Sequence, residues 1–234
     1  MGNIGGVLLN GATGCVVENL RVSGVSWAGV MILDGHRNRV SGCRITANLG
    51  AAQDSSGVCV YRSSSFNMIE GNSIESPCWH GVLVQNPDVD LIPKSNIIRG
   101  NSIIGSTAYG IAVYMPSETE VESNNTIDSN TISAVVGTQN SDNSGAGIYV
   151  VGAAASGTIV RANHIKNCCI STTSETLAPA GIAISNTKRC KVTENDISGM
   201  TKYDGIRVVV CASIVVSGNT VKMPASNTTA VGGI

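Results

Sequence analysis

The side chains that could do chemistry in this sequence are few and spread along its length. Acid–base work on a glycosidic bond uses two carboxyls ~5–9.5 Å apart, and the acids near the recurring aromatic positions are Asp54, Asp142, Glu175 and Asp204. His80 could act as a base, since imidazole titrates near neutral pH, and Tyr109 and Tyr114 follow it. Arg207, with Lys202 and Tyr203 close by, could neutralise the carboxylate of a uronate sugar. Aromatic rings are the remaining resource. Of eight, seven (Trp27, Tyr61, Trp79, Tyr109, Tyr114, Tyr149 and Tyr203) lie on or just before one recurring apolar segment, where they could stack on sugar rings. Plainer readings stand beside these: solvated turn carboxylates, a structural histidine, a surface arginine, and rings that cover the fold or meet a neighbouring subunit.

Composition removes other chemistries. Fifteen basic against sixteen acidic side chains leave a net charge of −1 over 234 residues, so no global field draws the chain to nucleic acid or to an anionic membrane. No apolar run approaches the ~20 residues of a membrane helix, and Met1 to Leu20 lacks the charged and apolar regions of an export signal. Eight cysteines show neither a C-x-x-C pair nor zinc spacing, which reads as small buried hydrophobes. The adjacency of Cys168 and Cys169 argues against a disulfide framework and favours a reducing compartment of synthesis. No cofactor is implied.

The elements that must position these residues come from a repeat. The pattern N-x-I-x-x-N-x-I reads NMIEGNSI from Asn67, NIIRGNSI from Asn96 and NTIDSNTI from Asn125, and looser forms bring the number of copies to eight. Between them runs Gly-aliphatic-x-aliphatic: GVLL, GVMI, GVCV, GVLV, GIAV, GIYV, GIAI and GIRV, at spacings of 23 to 37 residues. Each unit thus holds three short alternating apolar segments, and β-branched residues dominate them. Such a chain is all-β: a right-handed, single-stranded parallel β-helix of about eight coils with three short strands per coil, stacked ~4.8 Å apart. The asparagines then form two stacks. Asn72, Asn101, Asn130, Asn163, Asn195 and Asn219 make one; Asn38, Asn67, Asn96 and Asn125 make the other, which passes to Thr158, Cys190 and Ile214. Glu70, Arg99, Asp128 and Arg161 occupy one position in successive coils and should form a charged ladder on an outer face, a structural device.

On these motifs, over residues 4 to 234, the chain resembles the parallel β-helix repeat family of the pectin-lyase-like superfold. The resemblance implies a polysaccharide bound along the first sheet, which carries G-I-x-V. It leaves three functions open: a polysaccharide-binding body, tailspike-like, with depolymerase activity as lyase or glycosidase; a non-catalytic structural or adhesive β-helix; and a C5-epimerase-like enzyme. It further implies a homo-oligomer, a trimer by family expectation, on a virion or extracellular surface. Family signatures are missing, however. The place of an epimerase D-P-H reads YGIAVYMP from Tyr109, and no N-T-D, D-D or G-H-G occurs. The outward strand positions, Met31, Cys59, Leu83, Ala112, Tyr149, Ala183 and Arg207, hold no acid cluster for calcium, so no metal is implied. Because G-I-x-V begins close to one end of the sequence and recurs at the other, the expectation is a single domain, 1–234, cut from a longer chain without its caps.

Loop lengths suggest where a ligand would lie. The step from the end of the Asn motif to the next Gly is 7 residues before Gly81 and Gly110 but 12, 15 and 16 before Gly57, Gly147 and Gly181. Long loops would flank a trough at His80 and Tyr109. Alternation exposes Tyr61, Tyr114 and Tyr149 there and turns Tyr109 inward; with Trp79 and Tyr203 these are the expected sugar-binding rings, and His80, Asp142, Glu175, Asp204 and Arg207 the expected catalytic groups.

Overall fold

Valine and isoleucine at alternate positions favour extended backbone and give each strand one apolar face. In the structure, a computed structural model that describes residues 5–46, 55–77, 79–86, 90–115, 119–137, 145–169, 180–200 and 204–223, these segments form three parallel sheets of eight strands each. Every strand pairs with its equivalents one coil away, as Val58 with Val82 and Val82 with Ile111 in the first sheet. The architecture is a parallel β-helix wound eight times, and right-handed winding is what strand twist prefers for parallel crossovers.

Strands of the second and third sheets are three residues long and turn the middle one inward, such as Ile98 of Ile97–Arg99 or Ile103 of Ser102–Ile104. First-sheet strands contribute two inward residues each, among them Val82 and Val84, or Ile111 and Val113. One continuous aliphatic core follows, running the length of the coil. The glycine of G-I-x-V is needed because it faces the same interior: a Cβ on Gly110 would lie 2.4 Å from Ile132 Cγ2 and 2.6 Å from the Gly147 carbonyl oxygen.

The corner between the second and third sheets is two residues long in all eight coils, for example Gly71–Asn72 and Gly100–Asn101. Its first residue is always in the left-handed region, from φ 53° at Ala162 to 66° at Gly218. Its second residue builds the longer asparagine ladder. Asn101 Nδ2 donates to Asn130 Oδ1 (3.0 Å) and to the Ile69 carbonyl one coil back (3.0 Å), while its Oδ1 accepts from the Asn72 amide nitrogen (3.0 Å) and Nδ2 (2.9 Å). The pattern continues through Asn163 and Asn195 to Asn219. The shorter ladder links Asn67, Asn96 and Asn125 in the same way and ends where Thr158 turns its hydroxyl to the Ala155 carbonyl. The charged row pairs as Glu70 with Arg99 and Asp128 with Arg161, and Arg39, from the neighbouring row that holds Met68, also joins Glu70. Glu70 lies 2.6 Å from Arg99 and 2.5 Å from Arg39, and Arg161 lies 3.1 Å from Asp128.

Candidate functional site

The outer face of the first sheet is built from rows that run along the helix axis. In the row before each glycine, His80 pairs in register with Tyr109, and their rings stack at 5.3 Å with planes 1° apart. Tyr149, one coil further, stacks on Tyr109 at 4.9 Å and 29°. Small neighbours, Ala108, Ala112 and Ala146, leave the rings room to lie over the sheet. Together with Met31, Cys59 and Leu83, and with Trp27, Tyr61 and Trp79 half-buried at its margin, they form a second apolar cluster outside the coil.

This arrangement departs from alternation in two ways. Tyr149 does point outward, but it is only 6% exposed, because the outer face is itself covered. Tyr109 is on the outer side with it, not inward. The reason is that Gly110 and Ile111 both face the interior, so alternation breaks at the glycine. His80 is likewise buried. The small residues at 108, 112 and 146 were the sequence signal for this stack.

The exposed part of the face is its far edge. Tyr61, Gln85 and Tyr114 align in register across three coils, with Tyr114 39% exposed and the other two half-buried. At ~4.8 Å per coil the tyrosines stand ~10 Å apart with the amide between them. Gln85 Oε1 is buried and, among the described residues, meets no donor. Beside the row Arg62 approaches Asp34 at 3.7 Å, and Asp34 Oδ1 accepts from the Ser63 amide at 3.2 Å. Gln85, Asp34 and Arg62 were not expected from sequence; their signal was position alone, at or just after the strand end where Tyr61 and Tyr114 already stood.

Asp204 and Arg207 lie on the same face at the last coil, Arg207 level with Ala183. Burial pushes the Asp204 carboxyl above its ordinary value, and the Arg207 charge opposes that shift. Asp34 is six coils away, ~29 Å, far beyond the separation of a carboxyl pair. Asp54, Asp142, Glu175, Lys202 and Tyr203 lie outside the described residues. Among the described residues no three metal-ligating side chains cluster, and no helix is long and apolar enough to cross a membrane.

Known proteins share this architecture. The family described as "Right handed beta helix region" matches residues 3–173 and 122–230. Similar solved structures include the A-module of the mannuronan C-5 epimerase AlgE6 of Azotobacter vinelandii, with a TM-score of 0.64 at 15% identity over 95% of this chain and 59% of that one. An alginate lyase from Paenibacillus sp. str. FPU-7 gives 0.57 at 17% over 91% and 78%. A mutant tailspike protein of E. coli bacteriophage HK620, in complex with a pentasaccharide, gives 0.61 at 17% over 97% and 42%. The chain therefore spans about three-fifths of the epimerase module and two-fifths of the tailspike. No curated protein matches it in sequence. At these identities the likeness to solved structures is one of fold, whereas the family match covers nearly the whole repeat region: this chain belongs to the right-handed β-helix family.

Proposed function

We propose that this chain is the β-helical body of a polysaccharide-binding protein, with the polymer lying along the edge of the first sheet across Tyr61, Gln85 and Tyr114. The observation that carries this reading is the exposed ring of Tyr114, in register with a second tyrosine, Tyr61, and with Gln85 between them. Rings ~10 Å apart match alternate sugars of an extended chain, with the half-buried side chain of Gln85 level with the unit between them. The Asp34–Arg62 pair supplies further polar groups at the rim, with both side chains more than a third exposed. Structural neighbours that hold oligosaccharides support the choice of ligand.

Two groups of expected residues take different parts in this proposal. His80, Tyr109 and Tyr149 form the support beneath the edge, with Trp79 at its margin. Asp204, its carboxyl pushed up by burial, and Arg207 are where cleavage would be sought, with Asp142 and Glu175 as further candidates and Tyr203 as a further sugar-binding ring.

The test is incubation with a panel of alginate, pectate and capsular polysaccharides, followed by binding and product assays. Tyr114→Ala should weaken binding by ~1 kcal/mol or more with an unchanged melting temperature, since stacking area is lost from an exposed ring. Tyr149→Ala should do the reverse, lowering stability by ~3 kcal/mol as a buried aromatic is removed. Binding that is indifferent to Tyr114 and Tyr61 would sink the edge site. Products in the panel would add depolymerase activity, and binding without products would leave an adhesin.

A further inference from the structure

The charged ladder on the second sheet has a property beyond its coil-to-coil pairing. Register places Glu70, Arg99, Asp128 and Arg161 at successive levels, so the signs alternate along the axis. Reversed, an alternating row of four becomes its own complement. A second copy laid face to face with its axis antiparallel sets Glu70 opposite the second copy's Arg161 and Arg99 opposite the second copy's Asp128, each contact occurring twice by symmetry. A parallel copy at the same height sets every charge against itself. Shifting that copy by one coil restores attraction but gives a head-to-tail contact that does not close on a pair.

We infer that the outer face of the second sheet is a docking surface for a second copy of this chain, packed antiparallel about a two-fold axis between the Arg99 and Asp128 coils. The neighbouring row fits the same operation. Met68, Ile97, Thr126 and Ile159, all half-buried, meet as Met68 with Ile159 and Ile97 with Thr126. Exposed Val16 and Val215, beyond Arg39 and Lys191 in the same row, face one another. The like-charged encounter, Arg39 with Lys191, is softened by Glu70, which already holds Arg39 at 2.5 Å.

Geometry leaves the arginines able to reach across. Arg99 and Arg161 side chains are 50% and 54% exposed, whereas those of Glu70 and Asp128 are 15% and 20% exposed. The guanidinium groups thus stand proud of the acids, with donors to spare after their intrachain pairing. A groove of about 660 Å³ runs beside the ladder over Gly71 and Gly100, where no side chain fills the corner. It has room for arginine side chains from the second copy. The strip is narrow, eight strands at ~4.8 Å giving a length of ~34 Å, so its area falls at the low end of specific interfaces. Association is accordingly reversible and sensitive to salt.

Sedimentation equilibrium of the full chain tests this without any saccharide, so the outcome is separate from that of the edge site. At low ionic strength a concentration-dependent dimer is expected, weakening as salt is raised. Arg99→Asp sets acid against acid at two symmetric contacts and should raise the dissociation constant about tenfold or more. Arg161→Glu should act likewise through its contact with Glu70. The double exchange Arg99→Asp/Asp128→Arg should restore dimerisation, because the row 70, 99, 128, 161 then reads acid, acid, base, base and is again its own complement when reversed. Within one chain the same exchange puts like charges side by side. A ladder that serves only the coil would therefore lose melting temperature in the double variant and recover no mass. A monomer up to about 1 mM at low salt, a dimer indifferent to these charges, or a closed trimer each overturns the inference.

Discussion

At the scale of single residues, two glycines of neighbouring coils show that the same residue type can be required for different reasons. Gly110 has no unusual φ; it is crowded, with Ile132 and the Gly147 carbonyl less than 3 Å from where a Cβ would stand. Gly100 has open space around it but φ 61°. Gly110→Ala should therefore cost ~1–3 kcal/mol through overpacking, and Gly100→Ala only ~1 kcal/mol through backbone strain, as Ala162 already occupies the equivalent corner. Urea denaturation of the two variants checks the order. The motif G-I-x-V was plain in the sequence, but not that its glycine turns inward. That fact alone moved Tyr109 to the outer face, where it joins His80 and Tyr149. The reading of the cysteines as small buried hydrophobes holds for Cys43, Cys59, Cys168, Cys169 and Cys190, whereas Cys15 is exposed and Cys211 half-buried. Burial pushes the Cys168 thiol up to about 12 and Cys169 higher than usual as well. A thiol reagent at mildly alkaline pH should label exposed Cys15 in the native protein and reach Cys168 and Cys169 only on unfolding, read by peptide mass mapping.

At the scale of elements, the two-residue corner is what made the longer ladder readable. Its constant length keeps the asparagines in step, so spacing in the sequence becomes stacking in space. The shorter ladder lies after first-sheet loops of unequal length and gives way to Thr158, Cys190 and Ile214. The ladder's energy lies in buried amides. Asn101→Leu would leave the Asn72 amide nitrogen and one N–H of Asn72 Nδ2 without an acceptor, the other N–H keeping the Val40 carbonyl, and would take one donor from the Ile69 carbonyl, all buried. At ~1–3 kcal/mol for each group left unpaired, the loss should be several kcal/mol. Arg99→Ala, two residues earlier on an exposed face, should cost at most ~1 kcal/mol. Equal midpoints for the two in chemical denaturation would contradict the register. The exposed edge of the site was half legible: Tyr61 and Tyr114 followed from alternation, but Gln85 took its meaning only from standing between them.

At the scale of the whole molecule, ion pairs tie coil to coil around the outside. Arg39 and Arg99 share Glu70, Arg44 holds Glu75 at 3.1 Å, and Glu120 reaches Lys188 at 2.7 Å and Arg189 beside it. Each of the three carboxyls is held below its ordinary value, chiefly by hydrogen bonds from these partners: Arg99 at Glu70, Arg44 at Glu75, Lys188 at Glu120. Because the folded values lie under those of the unfolded chain, the stabilisation is complete above the usual glutamate range and is lost as pH falls through the lowered values. Melting temperature should thus stay level from about pH 7 to about pH 5 and decline at lower pH, with a shallower decline in Glu70→Gln. The fixed corner also bears on how such a chain changes over generations. A tandem duplication that copies everything from one ladder asparagine to the residue before the next adds a full winding and regenerates each of its bonds. An insertion inside the corner would move one asparagine out of line and break the amide bonds to the windings on either side of it. Descendants of one ancestor should therefore differ by whole windings and by their outer loops, while that corner keeps its two residues.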